Sequence, residues 1–165
     1  MKLAIEHVFA GIQPSEFEAL YFDETFNESL GTHLHMGRML VRLEKTANRI
    51  VRHVRFEPAQ DPNSPVPIEK AFGTSRASFL EELDYDPRAR RGEWKTIPNM
   101  FKERVVNTGT IEFAPAPEGT RRVLRGEVKV KLFGFGGVVE KMIAAEIVKN
   151  YDETAAFITD WLAKR

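Results

Sequence analysis

The sequence predicts an α+β domain: a curved antiparallel sheet of six or seven strands wrapped around one long C-terminal helix, with two short helices after the first strand. Three observations predict it. From residue 36 the apolar period changes from helical to two, and successive segments up to 132 are joined mostly by short turns, which favours an antiparallel sheet. Residues 138–163 then run at helical spacing without Pro or Gly. The last strand, 121–132, sets Leu124, Val128, Val130 and Leu132 against Arg125, Glu127, Lys129 and Lys131, so the sheet has an inside and an outside. A sheet that long curls, and one long amphipathic helix covers its concave side.

The elements follow in order. Residues 2–10 read as the first strand. Ser15 and Glu18 have the spacing of a capping box, with Phe17, Leu20 and Tyr21 on one face behind it. Asp23 starts a second short helix that Gly31 closes. Strand 38–45 puts Met39, Val41 and Leu43 inside, and Ile50 to Phe56 is the next strand. The four prolines of 58–68 make a loop, 77–86 resumes a strand, and Arg88, Arg90 and Arg91 mark a hairpin tip. Residues 93–98 and 101–114 are further strands, and the glycines of 133–137 turn the chain into a helix over 138–162. Nothing divides the 165 residues, so 1–165 reads as one domain.

Composition excludes several function classes. Lys+Arg and Asp+Glu both number 24, so there is no basic excess to favour nucleic acid as a partner. The absence of Cys removes disulfides, thiolate metal sites and a Cys nucleophile, and fits a reducing, cytoplasmic setting. No apolar run reaches the roughly 18 residues of a membrane helix. The four histidines lack metal-ligand spacing, and no nucleophile elbow or Walker motif appears. Gly134, Gly136 and Gly137 follow a strand and precede a helix, but Val139 stands where a dinucleotide loop needs its third Gly.

Parity is the informative signal. Strict alternation puts Arg52 on the inside row with Ile50, Val54 and Phe56, and Glu81 on the row of Phe79, Leu83 and Tyr85. It puts Glu103 and Asn107 among Phe101, Val105, Ile111 and Phe113. A charge on an apolar face must be paired or wet. Either a β-bulge shifts the register, or an internal ion pair forms, or the charges floor an apolar cavity and orient the polar end of a ligand. Neighbouring strands carry Arg52 and Glu81, so Arg52 is expected to meet at least one of the two carboxylates.

The order strand, helix pair, six strands and C-terminal helix, with VKVKLFGFGGVVEKMIAAEI leading into a helix ending FITDWLAK, resembles the START-like helix-grip (SRPBCC) superfamily, near an uncharacterised bacterial branch. That superfamily includes the birch-pollen allergen and polyketide cyclases. The resemblance implies an apolar cavity between sheet and helix, used for binding, transfer, cyclisation or chaperone regulation. The expected lining is Val41, Leu43, Arg52, Val54, Phe56, Phe79, Glu81, Leu83, Phe101, Glu103, Val105, Asn107, Ile111, Val128, Val130, Ile143 and Ile147. The expected partner is a hydrophobic small molecule, lipid-like or polycyclic, with no cofactor, metal, catalytic residue or nucleic acid. Two alternatives stay open: a cyclase or dehydratase with Glu81 and Glu103 as acid and base, and a protein-binding co-factor module.

Overall fold

The computed structural model describes residues 1–58 and 78–165. Most of the expected proline-rich loop lies outside the described residues. Among these, the elements are β1 (Lys2–Ala10), α1 (Pro14–Tyr21), α2 (Glu24–His33), β2 (Gly37–Lys45), β3 (Ile50–Glu57), β4 (Phe79–Asp86), β5 (Arg91–Pro98), β6 (Val105–Ala116), β7 (Gly119–Val130) and α3 (Gly136–Ala163). The strands form one sheet in the order β1-β7-β6-β5-β4-β3-β2, antiparallel throughout. Consecutive strands from β2 to β7 lie side by side. The helix pair carries the chain from β1 at one edge to β2 at the other, and β7 returns to pair with β1. This is the predicted α+β architecture, with α3 starting two residues earlier than the sequence places it.

Local chemistry explains most of the boundaries. The N-cap of α1 is Gln13, whose N–H donates to Glu16 at 3.0 Å. The capping box therefore falls two residues before the expected Ser15–Glu18 pair, because Pro14 opens the helix at its first position. Glu18 instead accepts the Tyr85 hydroxyl at 2.7 Å. Asp23 caps α2 by accepting from the Phe26 N–H at 2.7 Å. Gly31 does not end α2, which runs on to His33. A Cβ at Gly31 would sit tight against the Met36 carbonyl oxygen, at 3.3 Å.

The core divides into two clusters beneath the helices. The larger joins β1, α1, α2 and the middle of the sheet through aromatic rings. Phe113 sits at its centre, 5.0 Å from Phe17, 4.9 Å from Tyr21 and 5.6 Å from Tyr85 between ring centroids. In the smaller cluster, Val139, Ile143 and Ile147 of α3 pack with Leu3, Val105, Val128 and Val130. Ile147 touches both. Trp94 lies across the sheet where β6 and β7 carry Gly109 and Gly126. A Cβ at Gly109 would approach the indole at 2.6 Å and the Arg125 carbonyl oxygen at 2.0 Å.

Two of the expected inside rows change. The register of β2 against β3 shifts between Leu40 and Arg42, so Val41 is an extra, bulged residue. The bulge turns Met39 and Val41 outward, and Val41 is 51% exposed. Leu43, opposite Arg52, keeps its inward direction. At the other discrepancy, Phe101 and Glu103 are not in a strand. Phe101 has φ +54°, and its carbonyl oxygen accepts the Arg104 N–H at 2.8 Å, closing a turn ahead of β6. Both residues are exposed, so this inside row begins at Val105.

Candidate functional site

The concave face of the sheet carries a band of buried polar groups among its apolar rows. Arg52, on β3, is 5% exposed. Its Nη1 donates to the Tyr21 carbonyl oxygen at 3.1 Å, and its Nη2 reaches Glu81 Oε1 at 3.4 Å. The guanidinium stacks over the Tyr21 ring at 4.7 Å and the Phe22 ring at 5.2 Å. Burial pulls the Arg52 pKa down, but Tyr21, Glu81 and Glu24 together outweigh burial and hold it above its ordinary value. The expected meeting of Arg52 with an interior carboxylate is therefore present, and Glu81 supplies it. Glu103, out on its turn, takes no part.

The strand register shows how the band is assembled. Arg52 stands opposite Leu83, which stands opposite Trp94, so the three form one row across β3, β4 and β5. One step along, Glu81 stands opposite Thr96, and Thr96 opposite Asn107. Asn107 is buried, and its Nδ2 donates to Thr96 Oγ1 at 2.7 Å. Val54 is fully buried beside them, while Phe56 and Phe79 stack at 5.3 Å and stay half-exposed.

A second buried cation was not among the expected site residues. Arg122 is 1% exposed. Its Nη2 donates to His7 Nδ1 at 3.1 Å and to the Tyr151 carbonyl oxygen at 3.0 Å. Because His7 Nδ1 accepts, His7 Nε2 carries the proton it donates to Asp152 Oδ1 at 2.8 Å. The guanidinium lies over the rings of Tyr151 at 4.8 Å and Phe9 at 5.4 Å. Burial lowers the Arg122 pKa and raises those of Tyr21 and Tyr151. The signal was available in the alternation of β7, where Arg122 precedes Leu124 on the inside row. Its charge and the adjacent Arg121 disguised the row.

Several polar atoms in this band have no partner among the described residues: Arg52 Nε, Trp94 Nε1, Asn107 Oδ1, and Nε and Nη1 of Arg122. Buried polar groups are ordinarily hydrogen-bonded, and each exception asks for a water or a ligand. The set is rich in donors and carries two cations, so it matches an acceptor-bearing, acidic group. Of the remaining expected lining residues, Leu83, Ile111, Val128 and Val130 are buried on the concave face, and Val105, Ile143 and Ile147 pack against it. Val41, Phe101 and Glu103 do not join them. Two surface grooves lie elsewhere: one beside α3 and the start of β1, including Leu3, Ala144 and Val148, and one at the α2–β2 junction around His35 and Arg38. Neither includes an expected lining residue. No cluster of potential metal ligands occurs among the described residues.

This architecture is shared with solved bacterial proteins. The chain is similar to a Thermus thermophilus protein, TTHA0849, with TM-score 0.64 and 19% identity over 93% of this chain and 90% of that one. A Rhodobacter sphaeroides protein matches with TM-score 0.63 and 10% identity, over 99% and 92% of the two chains. Ms6760 of Mycobacterium smegmatis matches with TM-score 0.60 and 13% identity, over 99% and 91%. At these identities the likeness is one of fold. Residues 81–162, from β4 almost to the end of α3, match the family described as "Protein of unknown function (DUF2505)". No curated protein matches the chain.

Proposed function

We propose that this protein is a START-like helix-grip protein that binds and carries a small, mostly apolar molecule with an acidic or acceptor-bearing end, held on the concave face of its sheet. The observation that carries the reading is the group of buried, unpartnered donors on Arg52, Trp94 and Arg122. α3 covers β1 and β7 and rests against α2. The half of the concave face over β3 to β5 is where Phe56, Phe79, Glu81 and Thr96 remain half-exposed. A ligand lying there would place its apolar body on the Phe56–Phe79 stack and Val54. Reaching Arg52 Nε and Trp94 Nε1, which the free protein buries, would require its polar end to displace the side chains over them, and Asn107 Oδ1 would then accept from a hydroxyl or amide of the same molecule. Glu81 and Glu103 are not brought together as an acid–base pair, since Glu103 lies exposed on a turn.

Native mass spectrometry of freshly purified protein tests this directly. The expected result is a non-covalent adduct of small-molecule mass that is lost in the Arg52→Met/Glu81→Leu double variant while the variant stays folded. An adduct retained in that variant, or none in the wild type together with no uptake of fatty acids or polycyclic acids, would remove the reading.

A further inference from the structure

The junction between β7 and α3 presents apolar side chains to water. Phe133 is 104% exposed and Phe135 71%. Gly134 between them has φ +79°, and a Cβ added there would meet open space, so the two rings stand on an open turn. α3 then sets Val138 and Met142, four residues apart, on one exposed side of its first two turns. Exposed apolar residues are usually scattered singly. Here four large ones fall between 133 and 142.

The surroundings are basic. The turn ahead of β6 lies against the same junction, where the Lys131 N–H donates to the Arg104 carbonyl oxygen at 2.7 Å. Lys102, Arg104, Lys131 and Lys141 are all exposed. Nearby acids are largely occupied. Glu140 turns back to accept the Val130 N–H at 2.8 Å, and Glu127 pairs with Lys129 at 3.1 Å. Among the described residues of the turn ahead of β6, Glu103 is an exposed acid.

We propose that this junction docks on an anionic lipid bilayer, with Phe133 and Phe135 entering the boundary between headgroups and acyl chains while Lys102, Arg104, Lys131 and Lys141 meet lipid phosphates. Charge decides the occupant. A second copy of this chain would set the same cations against one another, and a few side chains on a turn fall far short of the roughly 800 Å² per partner of a stable dimer. A bilayer surface asks only for a small apolar tip and a basic rim. No described helix is long and apolar enough to cross the membrane, so the contact is one of docking. It does not depend on the ligand reading, because both rings are exposed and neither belongs to that site.

Co-sedimentation of the full chain with vesicles tests the proposal, using phosphatidylcholine alone and an equal mixture with phosphatidylglycerol. The wild type should pellet with the anionic vesicles, weakly with the neutral ones, and less as salt rises. Phe133→Ser/Phe135→Ser should lower the anionic partition about tenfold or more with no change in the melting curve. Lys131→Glu/Lys141→Glu should weaken it too and flatten the salt dependence. A wild type that stays in the supernatant with anionic vesicles overturns the proposal, as does a serine variant that binds like the wild type. A dimer in gel filtration that the serine substitutions abolish, with no vesicle binding by either chain, overturns it in favour of self-association.

Discussion

Arg122 is held by a ring nitrogen, a carbonyl oxygen and two aromatic faces, with no carboxylate in ion-pair range among the described residues. An isolated buried cation costs several kcal/mol unless something outside the chain meets it. Arg122→Met should therefore keep the unfolding free energy of the free protein within about 1 kcal/mol of wild type. Urea denaturation checks this, and a loss of about 3 kcal/mol or more would mean that the protein satisfies the charge by itself. Arg52 is the contrasting case, because Glu81 faces it. Glu81→Leu alone should cost about 3 kcal/mol by stranding Arg52, and adding Arg52→Met should recover most of that. If the double variant is less stable than the single one, the pair is a stability device and the ligand reading loses its anchor. Gly109 makes a third test at this scale. Its Cβ would collide with the Arg125 carbonyl oxygen at 2.0 Å and the Trp94 ring at 2.6 Å, so Gly109→Ala should lower stability by about 3 kcal/mol in the same assay.

Among the elements, α3 is tied to the sheet by packing along its length, by the Arg122–Tyr151 and His7–Asp152 hydrogen bonds past its middle and by a polar clasp at its start. Glu140 accepts the Val130 N–H at 2.8 Å and lies 3.3 Å from the Met1 amino group. These contacts, the Val130 N–H first, hold the Glu140 carboxyl below its usual range. The stability it contributes is complete above the ordinary glutamate value of about 4.3 and fades as pH falls below it towards the lowered value. Glu140→Gln should therefore lower stability at neutral pH and flatten the acid limb below about pH 4.3, so that the two proteins converge at low pH. Urea midpoints measured from pH 3 to pH 7 would show it, and parallel acid limbs in the two proteins would contradict it. Within β2 the bulge at Val41 leaves Met39 and Val41 exposed on an edge strand. Val41→Lys should leave stability within about 0.5 kcal/mol of wild type and reduce concentration-dependent light scattering, since edge lysines oppose strand-to-strand pairing.

Over the whole molecule, the two apolar clusters divide the work. The aromatic cluster fastens α1, α2 and the second half of α3 to the sheet, and the aliphatic one fastens the first half of α3. Phe113→Ala, at the centre of the first, should cost about 4 kcal/mol, and a calorimetric melt would register it as a large drop in midpoint. The unpartnered polar atoms lie in and beside the aromatic cluster, of which Trp94 is part, so a ligand there would add to its packing. The free protein should accordingly exchange the α3 amides faster than those of β6 and β7, with the gap narrowing when a ligand binds.

Element order, the antiparallel sheet, the terminal helix and the inward direction of Arg52, Glu81 and Asn107 were legible in the sequence. Alternation at period two and at helical spacing is a local property, written by each residue's neighbours. Tertiary structure decided the rest. The bulge at Val41 adds one residue to a strand without altering its composition, and it is set by how β2 must bend along β3. The turn at Phe101–Arg104 keeps a strand-like pattern while the backbone closes on itself. Gln13, rather than Ser15, caps α1 because Pro14 starts the helix where β1 ends. Arg122 reads as one more charge in a basic segment, and only the folding of α3 over β1 and β7 buries it. Burial and partnership belong to pairs of elements distant in sequence, so no single segment could announce them.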